Sequence, residues 1–268
     1  MENNIGILEL KYGNIYGGFP NFFAIAEISL LVFEGRSNKI FVESWTNRVD
    51  VDYVSVFSRV NELGHTIGRE KEVINMRSGR RRPFMEEFKL DKRALQYSFK
   101  QLRPAQMHIK RFLLNALRKY RLSTILTFDG RRDIFLCERA GVYFDRIQII
   151  DLQKDLNKET DYLFSLNKLS VIAGFNLQNS YLRSNNLEYW LHPIAAKQIY
   201  PGTAAFDAAR LLMVHNEYVK HRADFLMKAQ LLLNKIQLMK PPEPPKPPKQ
   251  EKVKEEVVDI SIKKEEEE

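Results

Sequence analysis

The chain has 268 residues, 44% of them hydrophobic, and one cysteine, Cys137, which is enough apolar material for one sizeable α/β core and excludes an intramolecular disulfide or a multi-cysteine zinc site. Its net charge is +8, but residues 240–268 hold seven lysines and nine acids, so residues 1–239 carry 35 basic and 25 acidic side chains. A body that basic suits a polyanionic partner, nucleic acid before acidic membrane, and suits equally a generic basic solvated surface.

The start, MENNIGILEL, lacks a basic stretch followed by a long apolar core, and no run approaches the roughly 18 apolar residues of a membrane span. The expectation is a cytoplasmic protein with no membrane partner, its Cys137 buried in the run IFLC. IGILEL (Ile5 to Leu10) reads as a short strand, and Gly13, Gly17, Gly18 and Pro20 mark a loop. FFAIAEISLLVFEG and KIFVESW are two further β-rich runs, with Gly35 to Asn38 as a hairpin turn. Three antiparallel strands near 5–10, 22–34 and 39–45 are therefore predicted.

From about 50 to 102 periodicity is lost, and this stretch reads as an irregular basic insertion with Arg77, Arg80, Arg81 and Arg82 in it. Gln106 to Tyr120 carries apolar residues at helical spacing. TILTF suits a buried strand, DIFLCERAG a helix ending at Gly141, RIQII a strand running into Asp151, and SLNKLSVIAGF a helix stopped by Gly174. Ala204 to Met239 has a long helical pattern with a break expected near Val214 to Tyr218. Residues 241–248, PPEPPKPP, cannot form a helix or central strand and read as a polyproline spacer before a charged tail in which VVDISI is a candidate protein-binding segment.

Strands alternating with helices argue for an α/β fold with a mixed sheet. The order of the pieces over about residues 5–220 resembles the DEDD (DEDDh-type) family of 3'-5' exonucleases. FDGRRDIFL is similar to that family's second acidic segment, with Asp133 at the carboxylate position. GTAAFDAARLL is similar to its third motif, with Ala204, Asp207 and Ala208 matching and Gly202 where the histidine belongs. Laying IGILELKYG on the first motif, an Asp-x-Glu pair, places Leu8 and Leu10 at the two acids. The resemblance implies a ribonuclease H-like mixed sheet, opened by three antiparallel strands and flanked by helices, over residues 1–239, while the composition of 240–268 reads as a Pro-rich linker and disordered tail.

Phosphodiester hydrolysis by two divalent ions about 4 Å apart needs several carboxylates converging from different elements. Leu8 and Leu10 supply none, and Glu9 between them points to the other face unless the register slips by one. A general base typically contributes about 100-fold to 10,000-fold, and Gly202 has no side chain to act as one. His192 is the substitute nearest in sequence. The expected catalytic or metal-site candidates are Asp133 and Asp207. Asp133 equally fits a helix first turn, Asp207 an ordinary polar helix position and Asp151 a helix cap. The nucleic-acid candidates are Arg77, Arg80, Arg81 and Arg82, together with Arg131 and Arg132 beside Asp133; a solvated loop is the alternative for the first four. No cofactor is expected, with Mg or Mn if the chain is active. The expectation is an inactive exonuclease-like protein that binds DNA or RNA weakly. The alternatives are an active metal-dependent 3'-5' exonuclease and an interaction scaffold that recruits a protein partner through its Pro-rich tail.

Overall fold

Runs rich in β-branched and aromatic residues build the first half of the main sheet in β1 (Ile5–Ile15), β2 (Phe23–Glu34) and β3 (Lys39–Thr46). They are antiparallel neighbours, with Leu8 opposite Leu30 and Leu31 opposite Val42, as expected. The computed structural model describes residues 4–15, 23–61, 63–85 and 92–238. The Pro-rich linker and tail expected at 240–268 lie outside the described residues. Gly13, expected in a loop, lies within β1, where a Cβ would sit 2.3 Å from both Tyr53 Cδ2 and the Val54 carbonyl oxygen. Bare backbone is what lets another ribbon cross β1 there.

That ribbon corrects the reading of residues 50–102 as irregular. β4 (Asp52–Val60), β5 (Thr66–Asn75) and β6 (Arg81–Pro83) pair antiparallel, and β4 joins the end of β1 at Asn14 and Ile15. Most of its side chains are exposed on both faces, so the period-two alternation of a half-buried strand never develops. Its buried residues, Tyr53, Val73 and Ile74, gather at its base. The next helix also starts earlier than expected: α1 (Lys92–Lys119) runs through Pro104 rather than beginning at Gln106.

The second half of the sheet is parallel. β7 (Thr124–Thr127) pairs with the start of β1, and β8 (Gln148–Asp151) pairs with β7, with α2 (Arg131–Arg139) between them in sequence. Thus β1 has β2 on one edge and β7, then β4, on the other. α3 (Leu152–Thr160) and α4 (Leu166–Ala173) follow, the latter ended by Gly174 at φ 65°, the left-handed stop that glycine takes without strain. A small antiparallel sheet of β9 (Asn176–Gln178), β10 (Tyr181–Arg183) and β11 (Glu188–Trp190) leads into α5 (Pro193–Ala196). α6 (Ala204–Lys220) and α7 (Arg222–Leu238) complete the described chain.

The break expected near Val214 to Tyr218 falls instead at His221, with φ −129° and ψ 43°. Residues 214–217 are buried, and Glu217 ties this stretch down by accepting bonds from the Ser184 hydroxyl (2.6 Å) and the Asn186 N–H (2.7 Å).

Helices cover both faces of the sheet. Leu8, Leu10, Ile28, Leu30 and Val32 pack beneath α1 and α2, whereas Ile7, Leu31 and Phe33 pack with α4, α6 and α7. Each fully buried Leu or Ile contributes roughly 1.5–3 kcal/mol. Ala204, Ala205, Ala208 and Ala209 are fully buried, and their small side chains let α6 lie close to β1 and β2. Cys137 is buried, as expected. Among the described residues no helix is long and apolar enough to cross a membrane.

Candidate functional site

Residues alternate faces along β1, so burial of Leu8 and Leu10 beneath α1 puts Glu9 and Lys11 on the opposite face, toward α6. This corrects the expected register. The side chains of Leu8 and Leu10 do not join Asp133 and Asp207; they are core residues, 0% and 6% exposed, and only the backbone N–H of Leu10 reaches Asp133. Glu9 is the first-strand acid beside both aspartates. Its Oε1 atom is closed off from solvent and has no hydrogen-bond partner. Burial, then the charges of Asp133 and Asp207, hold its carboxyl well above the usual range, against the pull of Lys11 and Arg210.

Asp133 is placed by the first turn of α2 and is 6% exposed. Burial, then the charge of Asp129, pushes its carboxyl up to about 7, opposed by an N–H from Leu10 and by the charges of Lys11 and Arg132. Asp207 is placed by the first turn of α6, whose start is capped by Thr203 Oγ1 accepting the Phe206 N–H at 3.1 Å. Both of its oxygens are engaged. Oδ2 accepts from the Lys11 ammonium, and Oδ1 accepts from Arg210 Nη1 at 3.0 Å. Arg210 is itself held by Ser170 Oγ, which accepts from Nε at 3.0 Å, and by Asn167.

Glu27 lies opposite Lys11 in the β1–β2 register and accepts the Ala204 N–H at 2.9 Å. Its carboxyl is raised by burial, opposed by the N–H groups at the start of α6 and by Lys11. Nearby, burial and the charge of Glu27 push the Tyr53 hydroxyl up to about 12. The site is therefore a layered charge cluster: Glu9, Asp133 and Asp207, with Lys11 and Arg210 set among them and Glu27 behind.

The fit of this cluster to two divalent ions can be judged from its donors. Such ions need carboxylate lone pairs free to coordinate and no competing cation. Here Asp207 spends one oxygen on Lys11 and the other on Arg210. The side chain that shares the face of β1 with Glu9, two residues on, is an ammonium. Among the described residues no group of three or more His, Cys, Asp or Glu is arranged to hold a metal ion. The donor set does not fit a two-ion centre. Gly202, at φ 91°, has open space where a side chain would go, with Arg81 Nη2 the nearest atom at 3.9 Å from a built Cβ. His192 is elsewhere: its Nδ1 accepts the Ile194 N–H at 3.3 Å at the start of α5.

The candidate arginines are divided among separate places. Arg77, Arg80 and Arg82 line an open pocket of about 550 Å³ with Asp50, Asp52 and Asn75. Arg82 is tied to Asp52, and Arg81 lies 4.8 Å from the Phe57 ring centroid and 3.7 Å from Glu72. Arg131 lines a different pocket of about 570 Å³ with Asp151 and Lys154. Arg132 stacks over Phe23 at 4.4 Å. Asp151 precedes α3 but its side chain makes no cap bond there; it accepts the Asp129 N–H at 3.1 Å.

Glu27, Lys11 and Arg210 were not singled out from sequence. The available signal for Lys11 was its spacing of two from Glu9, which puts both on one face of a strand. No protein-family model matches the chain, and no curated protein matches it. Among solved structures, the chain is similar to a full-length 3'-exonuclease in a crystal structure, at 11% sequence identity and a TM-score of 0.40, over 83% of this chain and 62% of that one. The chain thus spans under two thirds of the length of that neighbour.

Proposed function

We propose that this chain is an exonuclease-like, nucleic-acid-associated protein whose carboxylate cluster is neutralised by its own Lys11 rather than by metal ions. The observation that carries the reading is the Lys11 ammonium bound to Asp207 on the Glu9 face of β1. A mixed sheet opened by three antiparallel strands and continued by parallel strands supports the ribonuclease H-like part of the reading. The surplus of 35 basic over 25 acidic residues in residues 1–239 supports the nucleic-acid part. Within the basic cluster, Arg77 and Arg80 are exposed beside an open pocket, and a guanidinium pairs readily with phosphate.

The test combines Mn²⁺ binding, followed by electron paramagnetic resonance, with shortening of 5'-labelled single-stranded DNA and RNA in Mg²⁺ or Mn²⁺. The wild type is expected to bind no stoichiometric Mn²⁺ and to leave the strands intact, while binding them with an affinity that falls steeply with salt, by about 0.7 log units per log unit of salt for each phosphate contacted. Arg77→Ala with Arg80→Ala should flatten that slope. Lys11→Glu should gain Mn²⁺ binding. A second reading, a metal-dependent 3'-5' exonuclease, is favoured by one observation: the first-strand residue beside Asp133 and Asp207 is Glu9, not a leucine. Two Mn²⁺ per wild-type chain, with shortening abolished by Asp207→Asn, would establish that reading and overturn the first.

A further inference from the structure

A second surface, remote from the carboxylates in its lining, has the form of a strand-binding groove. β3 is an edge strand of the main sheet, and β11 is an edge strand of the small one. Between them runs a groove of about 730 Å³. Its lining is diagnostic. Four consecutive residues of β3, 39–42, contribute from one side, with the turn residues Ser37 and Asn38 before them, and three consecutive residues of β11, 188–190, from the other. Side chains alternate along a strand, so residues of both parities line a groove only where it follows the strand's edge and meets the backbone itself.

An exposed strand edge presents unpaired N–H and C=O groups, and proteins ordinarily protect such edges with proline, a bulge or charges. β3, KIFVESWT, has no proline, keeps unbroken register with β2 from Lys39 opposite Glu34 to Thr46 opposite Glu27, and carries two charges, Lys39 at its start and Glu43, which Lys119 and Tyr120 already bind. Its edge is instead flanked by rings. Phe41 lies 5.4 Å from Tyr120 on one wall, and Trp190 lies 6.0 Å from His192 on the other. Phe41, Trp190 and Ile194 are 37%, 54% and 66% exposed. Large exposed apolar groups gathered in one concave place mark an interaction site.

We propose that this groove takes an extended peptide segment of a partner protein, added to β3 as a further strand with an apolar side chain seated between the two aromatic walls. Charge favours a peptide over nucleic acid. The lining holds one lysine, Lys39, and one glutamate, Glu188, so it offers phosphates no run of cations. Shape favours a slender segment over a second copy of this chain. β11 and α5 both lie against β3, and a copy pairing edge to edge would bring its own β11 and α5 into the same space.

The experiment uses the full chain and a phage-displayed library of linear twelve-residue peptides. Selected sequences should carry alternating apolar or aromatic residues. The corresponding synthetic peptide, followed by fluorescence anisotropy, should bind at least tenfold more weakly to Trp190→Ala and to Phe41→Ala, both exposed positions whose loss leaves the core intact. N-methylation of alternate backbone amides in the peptide should abolish binding while keeping every side chain, because a strand addition depends on those amides. Binding that survives N-methylation, or that ignores both substitutions, overturns the proposal. So does saturation of the groove by oligo(dT) or oligo(U) with the same sensitivity to Trp190→Ala, or a concentration-dependent dimer lost in Phe41→Ala.

Discussion

Asp133→Asn should stabilise the protein at neutral pH and remove much of its pH dependence. In the folded chain Asp133 is 6% exposed and holds its proton up to about pH 7, whereas its ordinary value is 3.8. Between those values the unfolded chain has released a proton that the folded chain keeps. Stability therefore falls as pH rises through this window, by about 1.4 kcal/mol per pH unit at most. From pH 4 to pH 7 this group can remove up to about 4 kcal/mol. Asn keeps the size of the side chain and an oxygen to accept the Leu10 N–H, but has no charge to desolvate. It forfeits a favourable interaction with the α2 dipole, which is worth only about 0.3–1 kcal/mol. It also removes a charge that raises Glu9, so the Glu9 carboxyl should fall back and flatten the profile further. Urea denaturation at pH 4, 5, 6 and 7.5 checks this. The two proteins should coincide near pH 4 and diverge toward pH 7.5, the variant being the more stable. Parallel profiles, or a variant weaker at every pH, would refute the argument that burial of Asp133 is uncompensated.

Three further substitutions probe how the site is framed. Gly13→Ala forces a Cβ to 2.3 Å from the Tyr53 ring and the Val54 carbonyl oxygen, so the β1–β4 crossing should give way at a cost of about 1–3 kcal/mol in urea denaturation. Gly202→Ala meets open space but must keep φ 91°, so its cost of about 1–2 kcal/mol should come from backbone strain alone and should be smaller for Gly202→Asn, as read by thermal melting. Glu217 is 1% exposed and accepts from Ser184 and Asn186. Glu217→Ala orphans those donors and should cost about 2–4 kcal/mol, with Glu217→Gln recovering part of the loss.

The opening strands were legible because turn residues punctuate them and their apolar content is high. The ribbon at 52–83 was not, because strands exposed on both faces carry no alternation to read. The same physics misplaced the register of β1. Ile7 and Leu8 are both buried, one beneath α6 and one beneath α1, so the apolar pattern marks two covered faces and does not say which of them holds the site. Asp133 and Asp207 stand out in the sequence through short local matches, and both lie beside Glu9. The ion pair that defines the cluster joins Lys11 to a residue 196 positions away, and no local pattern encodes a contact of that range. Arg210 pairs locally with Asp207, three residues before it on α6, but its other partners, Asn167 and Ser170, lie on a different helix and leave no local trace.

The place of β1 between β2 and β7 has a consequence for how the molecule is made. β2 and β3 form a hairpin from neighbouring sequence, but Ile5 pairs with Thr124, and 119 positions separate them. At ~5–20 residues per second, synthesis of that interval takes roughly 6–24 seconds. During that time the edge of β1 at Ile5 to Ile7 has no parallel partner, and the apolar faces of β1 to β3 have neither α6 nor α7 to cover them. The emerging chain is thus a sticky three-stranded sheet well before it is a closed one, and a holding chaperone or slow dilution during refolding should raise the yield of this protein more than that of one whose central strand finds both neighbours nearby.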